Sequence, residues 1–303
     1  MMPKPSKKLL LTELSVNDNI LNAVISEIKS NSGSSIPQPV MIIGEQGSGK
    51  TILLKRLYNS DICRGHHKIW IDGRTVFCSD DIISKSSDTG ASMVFIDNMD
   101  FYLTRCSYEE QFKLRQILYN DGAPMLIGTV RKVLPALTDY EAPFFEGLKN
   151  VYIHPIPSHC ISRLFDEQDA VRAHSLMSLL PPTIKSLETI YGIIKLNDIP
   201  EKDISILLSI FSDKYRHSYQ DLPTNSQHIL NAFESFNTPM TIPELRYKTG
   251  LPTNILTAYL KTLKLLGIIE VDKSIKRNTK YSLRDPLFQL WLQSSIQSLP
   301  YPI

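Results

Sequence analysis

The chain of 303 residues lacks an excess of charge of either sign. Its 33 Lys and Arg stand against 31 Asp and Glu, a net charge of +2. That balance excludes a protein basic throughout, of the kind that coats nucleic acid, but leaves room for one basic segment. Long apolar runs are also missing. No stretch approaches the roughly 18 apolar residues of a membrane span, so no membrane partner is expected. The opening MMPKPSKKLLLTELS has a basic flank but too short an apolar stretch for a secretory signal. Cysteine is sparse: Cys63, Cys78, Cys106 and Cys160 have no C-x-x-C spacing. They read as reduced thiols of a cytoplasmic protein. No internal repeat and no low-complexity tract breaks the pattern.

What is present is enough apolar sequence, 42%, for substantial cores, and a length suited to two domains with a small third. Asn17 to Lys29 reads as an amphipathic helix with Ile20, Val24 and Ile28 on one stripe. Asn31 to Pro39 is a Ser-, Gly- and Pro-rich loop. Strands are expected at Val40–Ile43, Lys68–Asp72, Met93–Ile96, Met125–Ile127 and Val151–His154, with helices between them, notably over Tyr108–Tyr119. Such alternation implies a parallel sheet covered on both faces. From Phe165 to Ser218 the pattern is helical, interrupted at Pro181-Pro182. The expected division is an α/β core over 1–164, a helical lid over 165–220 and a third domain over 221–303.

Gly44-Glu45-Gln46-Gly47-Ser48-Gly49-Lys50-Thr51 follows the first strand and opens a helix. Glycines in this order let the backbone curl until several amides face one concavity, and the helix start adds its positive end. Lys50 is placed to reach β and γ phosphates, and Thr51 offers a hydroxyl to Mg²⁺. The bland alternative is a glycine-rich turn with a surface lysine.

Met93-Val94-Phe95-Ile96 ends in Asp97; in a P-loop fold a carboxylate there binds Mg²⁺ opposite Thr51, and the alternative is an Asp that caps the next turn. Asn98 follows and does not titrate, so it cannot serve as a general base. Asp100 is the nearest substitute. Met125-Leu126-Ile127-Gly128 leads to Thr129, whose hydroxyl can report a γ-phosphate. Arg105, Arg115 and Arg131 are all candidates for an arginine acting on a neighbouring subunit, with a solvated basic turn after the strand as the alternative for Arg131.

Toward the carboxy terminus, Thr241-Ile242-Pro243-Glu244 has capping-box spacing and starts a helix through Thr249, closed by Gly250. Thr253 is the expected cap of a second helix, Asn254–Leu266. Ile268–Val271 and Lys280–Leu283 are expected to pair as a hairpin. Two helices followed by a hairpin is the layout of a winged helix-turn-helix. Between Thr241 and Lys280 stand eight basic and three acidic residues. Asn254, Thr257 and Lys261 on the second helix, with Lys273, Lys276, Arg277 and Lys280 on the wing, are the candidate contacts to double-stranded DNA. The alternative is a module that packs on protein.

With these motifs the chain resembles the P-loop ATPases of the AAA+ and STAND group that carry a carboxy-terminal winged helix, to which the archaeal-type ATPases and origin-recognition initiators are related. The likeness rests on IIGEQGSGKT, MVFIDNMD, MLIGTVRK, APFFEGLKNVYIHPIPS and YSLRDPLFQLWL. It implies ATP or ADP with Mg²⁺ held by Gly47, Gly49, Lys50 and Thr51, Asp97 at the metal, and Thr129 as first sensor. It implies core and docking roles for Tyr281, Asp285, Phe288 and Trp291. Asn98 departs from the catalytic Glu of the family. Leu180-Pro181-Pro182-Thr183 stands where relatives often have G-N-P-R, so the second-sensor Arg is missing unless Lys185 replaces it. The implied activity is a slow or partner-stimulated ATP hydrolase used as a nucleotide switch, with a homo-oligomer or a protein partner in play.

Overall fold

The computed structural model describes residues 18–31, 34–144, 146–234, 239–272 and 279–296. The chain divides into two compact units, Met1–Leu164 with Pro182–Glu188, and Phe165–Pro181 with Thr189–Ile303.

In the first unit, α1 (Asp18–Asn31), β1 (Val40–Ile43), α2 (Lys50–Tyr58), β2 (Lys68–Asp72), α3 (Asp80–Thr89) and β3 (Met93–Asp97) are followed by α4 (Asp100–Arg105), α5 (Tyr108–Leu118), β4 (Met125–Val130), α6 (Pro135–Thr138), β5 (Lys149–Tyr152) and α7 (His159–Leu164). The five strands form a parallel sheet in the order β2-β3-β4-β1-β5. This is the α/β P-loop core expected from the alternation of strands and helices.

The strands of this sheet bury both faces, and their residues divide by period two between two cores. Met41, Ile43, Val94, Ile96, Leu126 and Val130 pack on one face with Ile82, Tyr102, Leu103, Leu114 and Leu118 from α3, α4 and α5. Val40, Ile42, Met93, Phe95, Met125 and Ile127 pack on the other with Ile20, Val24 and Ile28 of α1 and Leu53, Leu54 and Leu57 of α2. The carboxyl ends of β1, β3 and β4 therefore lie side by side, held from both faces.

β5 differs from the expected strand at Val151–His154. It begins two residues earlier because Val40–Ile43 pairs with Lys149–Tyr152. As an edge strand it tolerates the polar Lys149 and Asn150, which an apolar pattern does not mark. β4 runs on to Val130, since Thr129 and Val130 pair with Ile42 and Ile43.

The second unit is helical at first: α8 (Glu167–Met177), most of α9 (Ile184–Leu196) and α10 (Asp203–Gln220). Asp166 caps α8 by accepting from the Asp169 amide at 2.9 Å. Arg172 of α8 forks onto Asp203 at the start of α10, with Nε to Oδ2 at 2.9 Å and Nη2 to Oδ1 at 2.8 Å. Nη2 also donates to the Asn197 carbonyl.

There follow α11 (Thr224–Glu234), β6 (Met240–Thr241), α12 (Ile242–Thr249), α13 (Thr253–Leu265), β7 (Ile269–Asp272), β8 (Lys280–Leu283) and α14 (Pro286–Ile296). β6, β8 and β7 form a three-stranded antiparallel sheet in that order. The capping box is present, with the Glu244 carboxylate accepting from the Thr241 amide at 2.6 Å. Those bonds hold the Glu244 carboxyl below its ordinary range. The cap of α13 is Pro252, whose extended backbone turns the chain one residue before the expected Thr253. No helix among the described residues is long and apolar enough to cross a membrane.

Candidate functional site

The turn after β1 carries Gly47 at φ 88° and Gly49 at φ 93°, a left-handed backbone that residues with a Cβ adopt at a cost of roughly 1–2 kcal/mol. Gly49 is the cap of α2, and its carbonyl accepts from the Ile52 and Leu53 amides. A side chain at Gly47 is excluded twice over, because a Cβ there would lie 2.9 Å from Lys185 Cβ. The Lys185 amide donates to the Gly47 carbonyl at 3.2 Å. The first turn of α9 is thus fixed to the glycine loop within the first unit, with Thr183 accepting from the Ser186 amide.

Lys50 is 8% exposed. Its ammonium donates to the carbonyls of Gly44 and Glu45, both at 2.7 Å. Burial pushes its pKa down, against the opposing pull of Asp100 and Asp97. Two loop carbonyls thus hold the buried charge in place.

Thr51 donates to Asp97 Oδ2 at 2.8 Å, and Thr129 donates to Oδ1 at 2.7 Å. The Thr129 hydroxyl in turn accepts from the Asn98 amide at 2.9 Å. Thr129 is fully buried. Its hydroxyl orients Asp97 and the turn that follows, and it does not reach the cavity wall. Thr51 and Asp97 meet as hard oxygen donors, the set that Mg²⁺ prefers.

Asn98 has φ 59°, a position Asn tolerates better than most residues. Its amide is 3.4 Å from Asp72 Oδ1. Asp100 lies away from the wall: its side chain is 4% exposed and its Oδ2 accepts from Arg131 Nε at 2.5 Å. Its Oδ1 has no partner among the described residues. A carboxylate buried behind an arginine is poorly placed to take a proton from cavity water.

A cavity of about 550 Å³ opens here, walled by Gln46, Gly47, Gly49, Lys50, Thr51, Ile52, Lys55, Arg74, Asn98, Phe101, Arg131, Ile184 and Lys185. Five of these residues are cationic and none is a carboxylate. Of the three arginines singled out from sequence, only Arg131 reaches the wall, lying 4.8 Å over the Phe101 ring. Arg105 donates to the Arg74 carbonyl at 2.8 Å, and Arg115 donates to the Pro143 carbonyl. Lys185 is on the wall as well. Arg74 was not foreseen. Its only signal is the pattern KIWIDGR, a buried strand ending in Asp and followed by a basic residue, which resembles MLIGTVR on β4.

In the second unit, Asn254, Thr257, Lys261 and Lys264 are exposed on α13, opposite the buried Leu256, Leu260 and Leu263. The Thr257 hydroxyl is bonded to the Thr253 carbonyl at 2.8 Å. Lys280 is half-buried at the start of β8, opposite Thr241 and Asp272. Lys273, Lys276 and Arg277 lie outside the described residues. Tyr281 stands in β8 between Met240 and Val271. Asp285 Oδ1 caps α14 by accepting from the Leu287 and Phe288 amides, and its Oδ2 accepts from Tyr215 at 2.9 Å. Phe288 and Trp291 stack, with ring centroids 5.7 Å apart.

No protein-family model matches the chain, and no curated protein matches it. Among solved structures it is similar to Aeropyrum pernix Orc1 in complex with DNA, at 14% identity over 92% of each chain and a TM-score of 0.55. Weaker likenesses include Thermotoga maritima RuvB R170A, at 13% identity over 93% of this chain and 95% of that one, TM-score 0.46. Another is a replication initiator DnaA bound to AMPPCP and single-stranded DNA, at 15% identity over 82% and 88%, TM-score 0.44. On the Orc1 likeness, together with the parallel sheet and the glycine loop after β1, this chain has the fold seen in that Orc1 protein.

Proposed function

We propose that the chain binds ATP and Mg²⁺ in the cavity beside the glycine loop, hydrolyses ATP slowly or only with a partner, and uses the nucleotide as a switch for a DNA-binding winged helix. The observation that carries this reading is Thr51 on Asp97 at 2.8 Å at the edge of a cavity walled by five cations and no carboxylate. A nucleoside triphosphate there supplies a reactive anhydride, and magnesium neutralises part of its charge. The chain's own part is to bind and orient. Gly47 and Gly49 curl the backbone, Lys50 exchanges loop carbonyls for phosphate oxygen, and Thr51 and Asp97 provide the metal's protein ligands. Thr129 keeps Asp97 aimed. No cavity-wall residue is a general base, which fits slow turnover. α12, α13 and the β7–β8 hairpin are read as the winged helix, with α13 entering the major groove.

Lys50→Ala should abolish binding of a non-hydrolysable ATP analogue in calorimetry. Micromolar affinity retained in that variant would overturn the assignment.

A second reading of the winged helix has its own observation. Tyr247, Leu265 and Leu266 are 92%, 75% and 59% exposed, and apolar side chains so exposed suit a protein surface better than a phosphate backbone.

A further inference from the structure

The cavity wall contains a cation that none of the motifs accounts for. Arg74 stands just beyond β2, in a turn seated directly against the end of β3. A Cβ on Gly73 would come within 2.3 Å of the Asn98 carbonyl, so only glycine permits this approach. Asp72 pairs with Asp97 in the strand register, which places the 72–74 turn beside the carboxylate that Thr51 touches.

Asp72 fixes the guanidinium from one edge. Arg74 Nε donates to Oδ1 and Oδ2 at 3.0 Å each, and Nη2 donates to Oδ2 at 2.6 Å. The Arg74 amide also donates to Oδ1. Nη1 has no partner among the described residues, and the side chain is 62% exposed. A planar guanidinium clamped on one edge keeps the other edge free to meet an oxyanion, in an orientation already set. The Arg105 guanidinium holds the Arg74 carbonyl and so braces the turn from behind. Asp72 is itself no candidate base, because Arg74 and the Asn98 amide occupy it and hold its carboxyl below the ordinary range.

We propose that Arg74 is a specificity-determining residue that contacts the terminal phosphate from within the same chain and separates nucleoside triphosphate from diphosphate. The position argues for this. Thr51 and Asp97 are the residues that would hold the metal of a bound nucleotide, and Arg74 lines the same cavity, as Asn98 does, in the turn that follows the strand partner of Asp97. A diphosphate would lack the group that Arg74 meets on this reading.

The inference rests on the nucleotide reading above, and the test separates the two. Affinities for a non-hydrolysable ATP analogue and for ADP are measured by calorimetry with Mg²⁺, in the native chain and in Arg74→Ala, Arg74→Lys and Lys50→Ala. Thermal unfolding is recorded for each. Arg74→Ala should unfold like the native chain and lose about tenfold or more in affinity for the triphosphate, with ADP affinity changed less than about twofold. Arg74→Lys, which keeps the charge without the fork, should recover part of the loss. Equal losses for both nucleotides, or no loss, would overturn the role of Arg74. Lys50→Ala should lose both nucleotides. A native chain that binds neither would bring down the nucleotide site itself and this role with it.

Discussion

At the scale of single residues, the position after Asp97 decides what the site can do. Asn98 is held at φ 59° because its carbonyl faces the Gly73 turn and its amide nitrogen is committed to Thr129. Asn is among the few residues other than Gly that occupy this region at low cost. Asn98→Ala should therefore lower stability by about 1 kcal/mol, while Asn98→Gly stays within about 0.5 kcal/mol of the native chain. Both variants lose the side-chain bond to Asp72, so the difference between them isolates the backbone. Thermal unfolding of the two side by side checks it, and equal losses would contradict the strain argument. The glycine loop and the strand end at Asp97 were legible because each belongs to a short local pattern. Arg74 was not, because its place at the cavity depends on β2 lying beside β3. The setting of Asp100 depends likewise on Arg131, thirty-one residues away in the chain.

At the scale of elements, the helices of the second unit are tied by charge as well as by apolar packing. Arg172 and Asp203 are 16% and 5% exposed in their side chains, and the Arg172 hydrogen bonds hold the Asp203 carboxyl below its ordinary value. A depressed carboxyl stabilises the folded state above its unfolded pKa of about 3.9, and that stabilisation is lost as pH falls through the lower folded value. Asp203→Asn should cost about 2 kcal/mol at neutral pH, since it removes the bidentate partner of Arg172 and leaves Asp169, at 3.2 Å, as its remaining carboxylate. The variant should also lose the part of the acid dependence that begins below about pH 4. Unfolding followed by Trp291 fluorescence in a Trp70→Phe background, from neutral to acid pH, reads both effects. An unchanged acid limb would assign that dependence elsewhere. Elements were legible where pattern and burial coincide, as in β1, β3 and the Thr241–Glu244 cap. They were displaced where the edge of a sheet admits polar residues, as at β5, or where proline sets the turn, as at Pro252.

At the scale of the whole chain, a net charge of +2 conceals eight basic against three acidic residues between Thr241 and Lys280. If about four of these cations meet phosphates, the logarithm of the DNA binding constant should fall against the logarithm of salt with a slope of roughly −3 to −4. Lys261→Ala should reduce that slope by about 1 without changing sequence preference. Leu265→Ser should leave the slope alone, whereas a module that binds protein through Tyr247, Leu265 and Leu266 would lose its partner instead. Mobility shifts on random duplexes across a salt series distinguish the two, and no binding at low salt would favour the protein partner. The switch adds a stricter demand. The first turn of α9 carries Lys185 in the unit of the glycine loop, and the rest of that helix belongs to the other unit. If nucleotide and DNA are linked through the chain, the factor by which a triphosphate analogue changes DNA affinity must equal the factor by which DNA changes analogue affinity. Measuring both factors in native protein and in Arg74→Ala tests the switch directly. A factor of 1 in both directions, with each ligand still bound, would leave two independent binding sites on one chain and no switch.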